Sequence, residues 1–115
     1  MRKDERLRRS ERLLERTEFR RVYDHGQKKN LPLFTVFVLK TDLERSRLGI
    51  TVTRQIGGSV VRNRCKRLVR EAVRRNKEVV PGSFDLVINV KRAMADADYA
   101  VVEVQLKRFL SELSL

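Results

Sequence analysis

Residues 57–76, GGSVVRNRCKRLVREAVRRN, carry the clearest hydrophobic pattern in the chain. Val61, Cys65, Leu68 and Ala72 recur at spacings of four, three and four, with Val69 and Val73 alongside. At about 100° per residue these positions form one apolar stripe, so the segment predicts an amphipathic helix. Elsewhere the period changes to two. Phe34–Lys40 (FTVFVLK) predicts a strand with Phe34, Val36 and Val38 on one face and Thr35, Phe37 and Leu39 on the other. Residues 47–54 (RLGITVTR) predict a second strand. Leu48, Ile50 and Val52 form its core face. Gly49, Thr51 and Thr53 form a small, polar face that another molecule could approach closely. Phe84–Val90 (FDLVINV) is a third long strand.

Two further helices complete the pattern. Phe19, Val22 and Tyr23 share a face of a short helix over residues 18–25, with Thr17 as its expected N-cap and Gly26 as its stop. A last helix follows Asp96 or Asp98, with Val101, Val104, Leu106, Phe109, Leu110 and Leu113 as its apolar face. Residues 27–32 read as a polar entry with one short edge strand, and 79–82 (VVPG) as a turn. In the basic segment, Gly57 and Gly58 break the preceding strand, Ser59 is the expected N-cap and Asn76 a left-handed stop. The order is helix, three strands, helix, strand, helix: an α+β sandwich of one sheet with helices packed on it. If the strands flanking the basic helix are parallel, the general rule makes their crossover right-handed. Residues 1–16 are charge-rich with few apolar positions and read mostly as a basic, flexible arm, or as a helix extension without a strong apolar face. Residues 17–115 then form a single domain, with a core of modest size.

Charge turns this outline toward a partner. The formal net charge is +12 over 115 residues, which favours a polyanion such as nucleic acid. Residues 57–76 alone hold Arg62, Arg64, Lys66, Arg67, Arg70, Arg74 and Arg75 against one acid, Glu71. Arg62, Lys66, Arg70 and Arg74 step by four beside the apolar stripe, and Asn63 and Arg67 widen that face. Arginine's planar fork suits phosphate. Arg62 and Arg64 sit in the first turn, at the positive end of the helix dipole, which costs roughly 0.3–1 kcal/mol each if exposed. An unfavourable choice made twice fits a polyanion-binding demand. A membrane-surface helix would show bulkier apolar residues than Val, Ala and Cys.

A single cysteine, Cys65, excludes an internal disulfide and sits on the apolar stripe as a core residue. The lone His25 has no acidic or nucleophilic partner nearby in sequence. No signal-peptide pattern and no membrane-length apolar run occurs, so a cytoplasmic setting and no membrane partner are expected. Neither paired carboxylates, a nucleophile–base pattern, metal-ligand spacing nor a complete phosphate loop is present. Binding, rather than self-sufficient catalysis, is the expected role.

The residues Arg62-Asn63-Arg64-Cys65-Lys66-Arg67-Leu68-Val69-Arg70-Glu71 fill every fixed position of R-N-R-x-K-R-x-x-R-E. This stretch resembles the signature of the bacterial ribonuclease P protein component. The lead-in Ile56-Gly57-Gly58-Ser59-Val60-Val61 resembles that family's I-G-x-A-V-x, with Ser59 where Ala is frequent. The resemblance implies the fold of the second domain of ribosomal protein S5, with an unusual left-handed β-α-β crossover in place of the right-handed default. It implies that Arg62, Asn63, Arg64, Lys66, Arg67 and Arg70 bind a catalytic RNA. It implies that Phe19, Tyr23, Phe37, Thr51 and Arg54 line a cleft for the 5′ leader of precursor tRNA. It also implies that the RNA is the catalyst, that Mg²⁺ is held mainly by RNA with no cofactor bound by the protein alone, and that DNA is not a partner. A ribosomal-type or generic structured-RNA binder shares the charge and fold class but does not need the full signature. A DNA-binding module would need a partner helix before the basic one, where strands are expected instead. Copurifying RNA discriminates these readings.

Overall fold

The computed structural model describes residues 12–13, 15–43, 46–76 and 83–113. In chain order the elements are α1 (Arg16–His25), β1 (Gln27–Asn30), β2 (Phe34–Lys40), β3 (Arg47–Thr51), α2 (Ser59–Arg75), β4 (Phe84–Val90) and α3 (Tyr99–Ser111). Short 3₁₀ turns at Arg54–Ile56 and Arg92–Asp96 precede α2 and α3. The expected α-β-β-β-α-β-α order is observed. The sheet runs β1-β2-β4-β3. β1/β2 and β2/β4 are antiparallel, while β3/β4 are parallel and joined through α2.

β4 lies inside the sheet, which is why its sequence is apolar nearly throughout. Its alternation serves two layers. Leu86 and Ile88 join Phe34 and Val36 of β2, Cys65 and Val69 of α2, and Val102 and Leu106 of α3 in the main core. Val87 faces the other way and packs with Val22 of α1 and Leu13, with Phe19, Tyr23, Phe37 and Leu39 against them. The predicted faces of β2 are the observed ones. Burying a side chain such as Val22 or Leu106 stabilises by about 1.5–3 kcal/mol. Two short layers therefore hold the sheet from both sides.

Several local expectations are corrected. α1 is capped at Glu15 rather than Thr17, and the Glu15 amide donates to Glu18 Oε1 at 3.2 Å. Leu13 is buried and its amide donates to the Leu48 carbonyl at 2.8 Å. The folded unit therefore begins before residue 17, because Leu13 has apolar neighbours that a free arm lacks. The rest of the expected arm, residues 1–11 and 14, lies outside the described residues, as does the expected turn at 79–82. β3 ends at Thr51, short of residue 54, because the chain turns into the 3₁₀ segment. Gly26 ends α1 in an extended conformation (φ −81°), and a Cβ there would lie 2.6 Å from the Val22 carbonyl oxygen. Asp98 caps α3. Val101 and Val104 fall on the exposed side of α3, beside a cavity of about 660 Å³ also lined by Leu31 and Pro32, while Val102 is buried instead. Among the described residues no helix is long and apolar enough to cross a membrane.

Candidate nucleic-acid interface

The basic helix starts on backbone geometry. Gly57 has φ +155° and ψ −171°, and an added Cβ would sit 3.0 Å from Val61 Cβ. Only glycine holds this approach without strain. Gly58, not Ser59, is the N-cap, and Ser59 is already helical. Cys65, Val69, Ala72 and Val73 are buried, with Val61 and Leu68 packed at the core margin. Burial raises the Cys65 thiol above its ordinary pKa, as expected of an inert core cysteine. At the far end Asn76 stops the helix at φ −118°, not in the left-handed region. Its side-chain amide instead donates to the Ala72 carbonyl at 2.7 Å.

The seven cations divide by what holds them. Arg64 donates to the Ala95 carbonyl at 3.1 Å and the Ala97 carbonyl at 2.7 Å, tying α2 to the turn before α3. Arg62 Nε donates to the Gly57 carbonyl at 3.2 Å. With Gly58 as the N-cap, Arg62 ends the first turn and Arg64 falls in the second, and these carbonyls give both placements a local reason that sequence alone did not show. Arg74 and Arg75 clasp Glu71, and the hydrogen bond from Arg74 is the first cause holding that carboxyl below its usual range. Arg75 also lies over the Tyr99 ring, 5.1 Å from its centroid.

Lys66, Arg67 and Arg70 have no hydrogen bond or ion pair to a described residue. With Asn63 they occupy one face about 100° wide, and Asn63, Arg67 and Arg70 are exposed. Like charges three and four apart on a helix repel by a few tenths of a kcal/mol per pair. Among the described residues no ion pair offsets that cost, as suits a polyanion site.

The second surface lies on the opposite face of the sheet, under α1. Strand register sets it in rows. Lys28, Phe37, Val87 and Gly49 form one row, and Asn30, Thr35, Asn89 and Thr51 the next. Phe19 lies on Gly49 so closely that a Cβ there would fall 2.6 Å from the Phe19 ring. The small face expected to admit another molecule is thus partly filled by the protein itself. Tyr23 meets Phe37 edge to face, with ring centroids 4.9 Å apart. The Tyr23 hydroxyl donates to Asn89 Oδ1 at 2.7 Å and lies 3.1 Å from Thr51 Oγ1. Lys28 Nζ stands 5.9 Å from the Phe37 centroid.

Tyr23, Phe37 and Thr51 are therefore gathered, with Phe19 over Gly49 at the β3 end of the row that holds Phe37. Arg54 is exposed in the 3₁₀ turn beyond β3 and makes no bond to this group. Sequence reasoning missed Asn89, which reads as a lone polar residue in an apolar strand. It also missed the ion cluster that fixes α1. There Arg47 donates twice to Asp85, at 2.9 and 2.8 Å, and once to Glu18 at 2.7 Å, while Arg21 reaches Asp85 at 3.0 Å. The Asp85 side chain is 0% exposed. These hydrogen bonds hold the Arg47 guanidinium above its ordinary pKa, those to Asp85 first. Among the described residues no three His, Cys, Asp or Glu side chains gather where a metal ion could be held.

Comparison with known proteins agrees with this architecture. The family model for ribonuclease P matches residues 7–114. A ribonuclease P protein component from Syntrophus aciditrophicus is 43% identical over 96 residues, covering 84% of this chain and 81% of the relative. The solved RNase P protein from Thermotoga maritima superposes with a TM-score of 0.83 at 34% identity, covering 91% of this chain and 99% of that one. The Staphylococcus aureus RNase P protein shares the fold, with a TM-score of 0.81 at 24% identity over 88% of this chain and 93% of that one. The signature on α2, the α+β fold and these matches together place the chain in the bacterial ribonuclease P protein family.

Proposed function

We propose that this chain docks on the catalytic RNA of ribonuclease P through Lys66, Arg67 and Arg70, and holds the 5′ leader of precursor tRNA at Tyr23 and Phe37. Arg62 and Arg64 shape the docking surface, since each already serves a backbone carbonyl. The observation that carries this reading is the pairing of two unlike surfaces on opposite sheet faces. One is a band of cations with no ion pair among the described residues, suited to phosphate. The other is a pair of aromatic rings beside a polar row, suited to unpaired bases, which stack on such rings.

In this account the RNA performs the chemistry with Mg²⁺ that it holds itself. The protein supplies binding. A stacked leader adds affinity for the precursor that the mature product, lacking a leader, does not receive. Reconstitution tests the division of labour. The protein freed of RNA is expected to cleave no precursor tRNA at any Mg²⁺ concentration, and its addition to ribonuclease P RNA is expected to lower the Mg²⁺ needed for cleavage. Cleavage by the RNA-free protein would overturn the proposal.

Docking through phosphates also predicts a salt response. Removing one phosphate-binding side chain makes the slope of log K against log salt shallower by about one. Arg67→Ala combined with Arg70→Ala should therefore flatten the slope for RNA assembly by about 2. The thermal midpoint should stay near that of the parent, because both side chains are exposed and hold nothing in the core. An unchanged slope would remove these residues from the interface.

A further inference from the structure

The aromatic pair alone would hold any unpaired base, since every base has a π face. Beside it, the polar row is wired in one direction. Tyr23 has a single hydroxyl proton and gives it to Asn89 Oδ1 at 2.7 Å. The Thr51 hydroxyl, 3.1 Å from the Tyr23 hydroxyl oxygen, must then be the donor to Tyr23. This chain fixes the Asn89 carboxamide with its oxygen toward Tyr23 and its Nδ2 amino group away. Nδ2 has no partner among the described residues. It is not buried either, since Arg12 Nε is the one side-chain atom among those residues that is both buried and unsatisfied. Asn89 is half-buried, one row from Phe37 on the same sheet face. An open, oriented amide donor thus stands beside a stacking ring.

We propose that Asn89 is a specificity-determining residue: its Nδ2 donates to an acceptor on the edge of the leader nucleobase stacked at Phe37, and Tyr23 and Thr51 orient it for that task. The four bases place their ring nitrogens and carbonyl oxygens differently, so a fixed donor ranks them where stacking alone does not. The proposal rests on the reading of this cleft as the leader's site.

The test uses the holoenzyme assembled with ribonuclease P RNA. Its affinity is measured for precursor tRNAs carrying each of the four bases, one leader position at a time. The parent should show one position with a spread of about 3- to 10-fold among bases, the size of one neutral hydrogen bond. Asn89→Val removes the donor and keeps a strand-forming side chain. Tyr23→Phe keeps the ring and removes the hydroxyl that orients the amide. Each should narrow the spread to within about 2-fold. The same spread in both variants as in the parent, or no position with a spread in the parent, would overturn the assignment. A Phe37→Ala holoenzyme separates the two readings. If it lowers precursor affinity relative to mature tRNA while the Asn89 and Tyr23 variants keep the spread, the leader site stands and only the role of Asn89 fails. If it does not, the leader site itself fails.

Discussion

An Arg47→Ala variant is expected to lose about 3–5 kcal/mol of stability, the cost of leaving a buried charge without its partner. Asp85 is fully buried at the start of β4, directly across from Arg47 on the parallel neighbour β3. Arg47 supplies it with two of its hydrogen bonds, and Arg21, half exposed on α1, supplies the third. Without Arg47, Asp85 keeps only that third bond. The bond from Arg47 to Glu18 is lost at the same time, and with it one of the ties between α1 and the sheet. Against a total stability of about 5–15 kcal/mol for an ordinary domain, this is a large fraction. Chemical denaturation should show the midpoint falling sharply. Replacing the pair together, with Arg47→Met and Asp85→Leu, should recover much of the loss, because the isolated buried charge is then gone. A loss below about 1 kcal/mol for Arg47→Ala would mean that water reaches Asp85 and that the cluster does not fix α1.

That cluster also marks where sequence reading stops. The stripe on α2 and the alternation in β2 and β4 were legible because burial on one face imprints a period on neighbouring residues. Arg21, Arg47 and Asp85 are far apart in sequence, and no local pattern announces that register brings them together. Asn89 was hidden for the same reason: its partner Tyr23 lies on another element. α3 is apolar on more than one side, so its period did not decide between Val101 and Val102, and the packing did.

The site was legible in part. The band of cations was plain, but its division was not. Arg64 looks like any other phosphate ligand until Ala95 and Ala97 present their carbonyls to it. Arg74 and Arg75 look equally available until Glu71 is seen between them. The aromatic cleft came from family resemblance, since Phe19, Tyr23 and Phe37 by spacing alone read as core. In the structure all three are packed: Phe19 lies on Gly49, while Tyr23 and Phe37 are half-buried, with one side in the packing beside Val87.

This packing shapes the measurement that tests the leader site most directly. It is the ratio of precursor to mature tRNA affinity for a holoenzyme carrying Phe37→Ala. Losing one stacked base should lower that ratio by about 1–3 kcal/mol, or roughly 5- to 150-fold, with mature tRNA affinity nearly unmoved. Phe37→Leu serves as the packing control. It keeps apolar volume against Val87 and Tyr23 but has no π face, so its melting temperature should stay near the parent while the ratio still falls. If both variants remain folded and assembled and the ratio is unchanged, the leader does not stack at Phe37, and the cleft beneath α1 is not its site.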